Sequence, residues 1–185
     1  HADVDNVTTY PDHESCAKLS LLQGVTTLVS GNCGLSVPNV TEFFDRIDKG
    51  YPLHHAELLG GSTLRKMVGA CNIYAPATKE QIDHMCCLAR QGLSQGAAGI
   101  SLGVGYTPGT SLDEILALAT VAREYGRVVS IDTRMEDDYN ISSLAEALAV
   151  PRRTVPPTLI SHQGYHYGAF AHHEALDNHY QASAT

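Results

Sequence analysis

Gly24-Val25-Thr26-Thr27-Leu28-Val29-Ser30-Gly31-Asn32-Cys33-Gly34 sets the architecture of this chain. The β-branched apolar run from Val25 to Val29 reads as a buried strand. It breaks at Gly31, and Cys33 follows between Asn32 and Gly34. A small, soft side chain is thus presented just past a strand's end. The turn that carries it has glycines that let other groups approach closely. In a parallel α/β fold this edge is where ligands bind. The alternative is a plain glycine turn with an inert cysteine, since thiols are among the most buried side chains. This segment alone leaves both readings open.

Outside that stretch, composition sets bounds. The 185 residues suit one domain, and 43% hydrophobic with 17% charged residues fits a globular chain with a sizeable core. A net charge of −8 argues against nucleic acid as a partner, and no polybasic or long apolar run points to a membrane. No signal peptide is evident, and His1 in place of Met is what a processed or truncated polypeptide gives. Five cysteines, with Cys86 and Cys87 adjacent on a helix, do not form a disulfide framework. A reducing, cytoplasmic setting is the expectation.

Strands are expected at 25–30, 97–102, 127–132 and 158–162, each entered from a helix or loop. Helices are expected at 14–23, at 41–48 behind a Thr41 cap, from Thr78 to Gly96, from Ser111 to Gly126, at 142–153 and at 172–184. Thr78-x-x-Gln81 and Ser111-x-x-Glu114 both read as capping boxes. His54 and His55 read as strand or surface residues. Strand–loop–helix repetition spells parallel βα units, which periodicity alone cannot divide between a barrel and a doubly wound sheet. Gly99-x-Ser101-x-Gly103 mimics a nucleophile elbow, but the strand is short and no ordered Asp and His follow.

Gly-Val-Thr-Thr, the apolar run and Gly-Asn-Cys-Gly resemble the signature of the N-acyl-D-amino-acid deacylases (D-aminoacylases) of the amidohydrolase superfamily. The resemblance runs the length of the chain. His1-Ala-Asp3-Val-Asp5 is similar to the end of a His-x-His-x-Asp motif, in either of two registers. Leu64-Arg65 matches the end of Gly-His-x-x-Leu-Arg, with Gly61 where the histidine usually stands. Gly99-x-Ser101-x-Gly103-x-x-Tyr106-x-Pro108-Gly109 is similar to a family loop. Asp132-Thr-Arg134-Met-Glu136 resembles His-x-Arg-x-Glu with Asp132 in place of histidine, and Ile160-Ser161-His162 matches outright.

The resemblance implies a fold and a chemistry. The fold is part of a TIM-like (β/α)8 metal-dependent hydrolase barrel spanning 1–185, without the family's last strands and small β-domain. The metal ligands implied are His1, Asp3, Cys33, Asp132 and His162, binding one or two Zn2+ ions. Ser101, Tyr106, Arg134 and His166 are implied at the substrate. The activity implied is hydrolysis of a small linear or cyclic amide, most closely an N-acyl-D-amino acid, with water activated by metal. The aspartate base of the family lies beyond these residues. Asp132 could preserve the metal, change it or mark a site that no longer works, because a carboxylate is shorter, harder and anionic beside an imidazole. Arg134 and Glu136 have a structural ion pair as their alternative. The rival reading of the whole is a chain that keeps the fold and has lost the chemistry. Exposed strand edges on a partial barrel would call for self-association.

Overall fold

The computed structural model of the chain describes residues 14–134 and 140–161. The chain order is α1 (Glu14–Leu22), β1 (Thr27–Ser30), α2 (Val40–Ile47), β2 (His54–Gly60), α3 (Gly61–Met67), α4 (Lys79–Ser94), β3 (Gly99–Gly103), α5 (Leu112–Glu124), β4 (Val128–Asp132), α6 (Asn140–Thr154) and β5 (Thr158–Ser161). The five strands form one sheet in the order β1-β2-β3-β4-β5, every pair parallel. Each new strand adds to the same edge, so the order never reverses. A doubly wound sheet must reverse at a switch point. The described residues are therefore a parallel five-stranded section of a barrel wall, consistent with a partial TIM-barrel amidohydrolase fold.

The two sheet faces differ in chemistry, as strand alternation requires. Outward, Leu59, Ile100, Leu102, Val129 and Ile131 join Met85, Ala89 and Leu93 of α4 and Ile115, Leu118 and Ala122 of α5 in one buried cluster. Inward, β3 and β4 carry small or polar residues, Gly99, Ser101 and Gly103 on β3 and Ser130 and Asp132 on β4, and β5 ends in Ser161. That face has room for something to lie across it.

Four local expectations are corrected. The strand at 25–30 is shorter, and only its last residue, Ser30, is buried: Val29 is 44% exposed on the inner face of the strand at the edge of the described sheet. β2 adds a fifth strand to the four given bounds, and of the two readings of His54 and His55 the strand holds. The cap of α2 is Asn39, whose side chain accepts from the Glu42 amide at 3.1 Å, rather than Thr41. Of the two capping boxes, the one at Thr78 and Gln81 forms in both directions. At α5, Ser111 Oγ accepts from the Glu114 amide at 3.2 Å, but the Glu114 side chain turns inward to Arg65 instead of returning to the cap.

Candidate functional site

β1 ends at Ser30, and the turn after it folds inward over the ends of β2 and β3. Three of its residues have left-handed backbones: Gly31 (φ 78°), Cys33 (φ 56°) and Gly34 (φ 80°). Only glycine takes that region freely, so Cys33 is held there at a cost of about 1 kcal/mol or more. Close approach fixes the turn. A Cβ added at Gly31 would overlap the Leu58 carbonyl, one at Gly60 the Gly34 carbonyl, and one at Gly103 the Cys33 carbonyl. The Gly34 carbonyl also accepts from the Ser62 amide at 2.9 Å.

Hydroxyls of the inner face complete the hold. Ser101 Oγ donates to the Gly31 carbonyl and accepts from the Gly34 amide at 3.1 Å. Ser130 Oγ donates to Asn32 Oδ1 at 2.6 Å, and Asn32 Nδ2 donates to Ser161 Oγ at 3.3 Å. Ser130 and Ser161 hydroxyls meet at 2.9 Å. A side chain from the end of β1 thus reaches β4 and β5 across the inner face. Sequence reading missed Asn32, Ser130 and Ser161. The only local signal was the asparagine itself, placed in a turn that glycine or cysteine alone could make.

Asp132 ends β4, in register with Gly103 on one side and Ser161 on the other. It is 6% exposed. Gly103 carries the Cys33 carbonyl on its inner face, so one glycine separates the Cys33 turn from the Asp132 strand end. A thiol and a carboxylate are both donors that zinc accepts, and on this count the described part of the expected ligand set fits the metal. His1, Asp3 and His162 lie outside the described residues, as does His166. Among the described residues, no three His, Cys, Asp or Glu side chains gather in a metal-binding group.

Of the residues expected at the substrate, Tyr106 is 62% exposed in the loop after β3, and its ring lies over Gly103 beside the Cys33 carbonyl. Ser101 is fully buried, with its hydroxyl committed to the Cys33 turn. Arg134 bonds through all three nitrogens: Nε and Nη2 grip the Glu146 carboxylate at 2.9 and 2.8 Å, Nη2 reaches the Thr110 carbonyl at 2.8 Å, and Nη1 the Pro108 carbonyl. It ties the Tyr106 loop to α6. Its ion-pair partner is Glu146, whereas sequence spacing pointed to Glu136, which lies outside the described residues. Gly61 opens α3 right after β2, and a side chain there would come within 2.8 Å of Leu102.

Two buried polar clusters support this edge from behind. Arg65 Nη1 meets Glu114 Oε2 at 2.6 Å, and Arg65 Nη2 also holds the Asn72 and Ala75 carbonyls at 3.1 and 2.6 Å. Burial raises the Glu114 carboxyl's pKa, and the Arg65 guanidinium works against that rise. On the outer side of β1 and β2, Ser30 Oγ donates to Glu57 and lies 2.5 Å from His55 Nε2. Glu57 Oε1 also accepts from the Val37 amide at 3.4 Å, four residues past Cys33. Phe43 and Tyr51 pack edge-on to the His55 ring at 5.0 and 5.9 Å. Burial pushes the Glu57 carboxyl up to about 7, against the Ser30 and Val37 hydrogen bonds. Burial also pulls His55 down to about 4. The order Ser–Glu–His is not that of a nucleophilic triad, because here the hydroxyl bridges and the imidazole does not.

Comparison with known proteins bears on the fold that carries this arrangement. No family model matches the chain. D-aminoacylase of Alcaligenes xylosoxydans xylosoxydans is 30% identical over 166 residues, covering 76% of this chain and 34% of the relative. A solved D-aminoacylase with a binuclear metal center superposes with a TM-score of 0.84 at 27% identity, over 98% of this chain and 44% of that one. N-acyl-D-glutamate deacylase from Bordetella bronchiseptica, complexed with zinc and a phosphonate that mimics the tetrahedral intermediate of its reaction, gives 0.85 at 25% identity, over 97% and 43%. The chain thus spans about a third of the length of the curated relatives it matches. With the strand order, the Gly-Asn-Cys-Gly turn at the strand ends and these relatives in agreement, the chain belongs to the D-aminoacylase family of amidohydrolases.

Proposed function

We propose that this chain carries part of the active site of a zinc-dependent hydrolase that cleaves the amide bond of N-acyl-D-amino acids. The observation that supports it is the Cys33 turn. A strained cysteine is held at the C-terminal strand ends, one glycine away from a buried strand-end aspartate. A turn with no such task would place glycine at 33 and lose the strain.

On this reading Cys33 and Asp132 hold zinc together with His162 and with His1 or Asp3. Bound there, zinc supplies Lewis-acid polarisation of the amide carbonyl and an acidified water. The other residues serve by placement. The open Tyr106 ring beside Cys33 forms a wall for the acyl or amino-acid side chain. Arg134 keeps that wall in position through the Pro108 and Thr110 carbonyls. Ser101 serves by holding the Cys33 turn through Gly31 and Gly34.

The test is elemental analysis of the purified protein beside Cys33→Ala and His162→Ala variants, with intact mass recorded on each sample. Zinc near one equivalent or above, lost in both variants, supports the reading. Assay against N-acetyl-D-amino acids and their L-isomers follows. A metal-free wild type that gains no amidase activity with added zinc overturns it, and favours a chain that keeps the fold without the chemistry.

A further inference from the structure

We propose that Asn32 is a positioning residue of this site: held by the hydroxyls of Ser130 and Ser161, its amide fixes the Cys33 turn against the ends of β4 and β5. Three observations carry this.

The first is which residue bears the strain. Asparagine is the non-glycine residue best suited to a left-handed backbone. In this turn asparagine and cysteine are adjacent, yet cysteine takes φ 56° and Asn32 does not take a positive φ. The strained conformation falls on the less suited residue, and that leaves the Asn32 amide aimed inward.

The second is what the amide meets. Ser130 donates to Oδ1 at 2.6 Å, Nδ2 donates to Ser161 at 3.3 Å, and the two serines share a bond of 2.9 Å. Both serines are buried. The network closes on itself with no charge, and a closed buried network holds its members more firmly than separate pairs do.

The third is where the partners sit. Ser130 lies two residues before Asp132 on β4, and Ser161 pairs in register with Asp132 and immediately precedes His162. One side chain therefore ties the Cys33 turn to both strands from which the other expected ligands extend. Its bonds span 98 and 129 residues of sequence, so no local contact duplicates them.

The experiment compares metal-free wild type with Asn32→Ala, with Ser130→Ala/Ser161→Ala, and with all three changes together. Alkylation of each cysteine by iodoacetamide is followed by peptide mass spectrometry. Cys71 and Cys87 are exposed and serve as internal standards. The expected result is a rise of about tenfold in the Cys33 rate relative to these standards in Asn32→Ala. The rise is the same, not compounded, when the serines are also removed, as for a single coupled unit. Zinc titration of the same proteins adds a loss of about 10–100-fold in affinity at unchanged stoichiometry. An unchanged Cys33 ratio, or effects of Asn32 and the serines that simply add, overturns the proposal. Should Asn32→Ala not fold, Ser161→Ala alone carries the same comparison. The alkylation arm does not depend on zinc: a wild type that binds none, with a coupled effect on Cys33, rejects the proposed function and keeps this one.

Discussion

Glu57 is a fully buried carboxyl with no ion-pair partner among the described residues, and its titration should be visible in the stability of the protein. Its value rises from 4.5 unfolded to about 7 folded, so the folded state binds the extra proton and stability falls as pH rises from about 4.5 to 7. His55 runs the other way. Its value falls from 6.5 to about 4, so stability falls as pH drops through that window. Between pH 4.5 and 6.5 the two slopes oppose and nearly cancel. Glu57→Gln keeps the shape, accepts from the Val37 amide through its one oxygen and turns its NH2 to donate to Ser30 Oγ, so the Ser30 bond reverses direction, and it removes one slope. We expect it to gain up to roughly 3 kcal/mol at pH 8, and to lose stability on acidification from 6.5 to 4, where the wild type's contribution is flat. Urea unfolding across pH 4–8 checks this, and parallel wild-type and variant profiles would refute it. Nothing in His54-His55-Ala56-Glu57 marks Glu57 in the sequence, where it reads as a polar surface run. Cys33 was legible because its turn is written in consecutive residues. Its supports were not, since Ser130 and Ser161 are ordinary serines until the sheet registers them, and Ser101 was singled out for substrate and not for the turn it holds.

Helix starts show the same division between what is local and what is not. The cap at Thr78 forms as its spacing predicts, because Thr78 and Gln81 need only each other. The similar pattern at Ser111 forms by half, because Glu114 found a buried arginine 49 residues away. Thr78 and Glu114 should therefore respond differently to removal. Replacing Thr78 by Ala costs about 1 kcal/mol, the usual value of a cap. Replacing Glu114 by Ala strands the Arg65 guanidinium in the interior and costs about 3–5 kcal/mol. Thermal or urea denaturation of the two variants distinguishes them, and equal small losses would mean Glu114 is only a cap residue. Strand β2, which only the resemblance and the strand-or-surface reading of His54 and His55 suggested, was weakly legible for a related reason. It opens on two histidines and lacks the β-branched run that marks β1, and it is a strand because β1 and β3 pair with it on both sides. Its neighbour Gly61 also carries no signal of its own until Leu102 is seen against it.

Across the whole molecule, alternation of strand and helix was legible and strand order was not. A run of βα units is compatible with several sheets, and only the monotonic order and shared register select the barrel wall. The same order exposes inner-face residues such as Val29 and Leu159, at 44% and 57%, within the described residues. It also bears on how the protein reaches its structure. Each strand pairs with the one just before it, so the sheet can extend by short loop closures, one unit at a time. The Asn32 amide reaches furthest beyond this pattern, since its partners among the described residues lie on β4 and β5. The candidate site is then the last part to assemble, and its completion reports that the sheet has grown to β5. During refolding from urea, protection of Cys33 from a thiol probe should lag behind the recovery of helical circular dichroism. Simultaneous recovery would show that the turn forms without those strands. A fold built stepwise from neighbours has tied its candidate site to a contact that spans four strands.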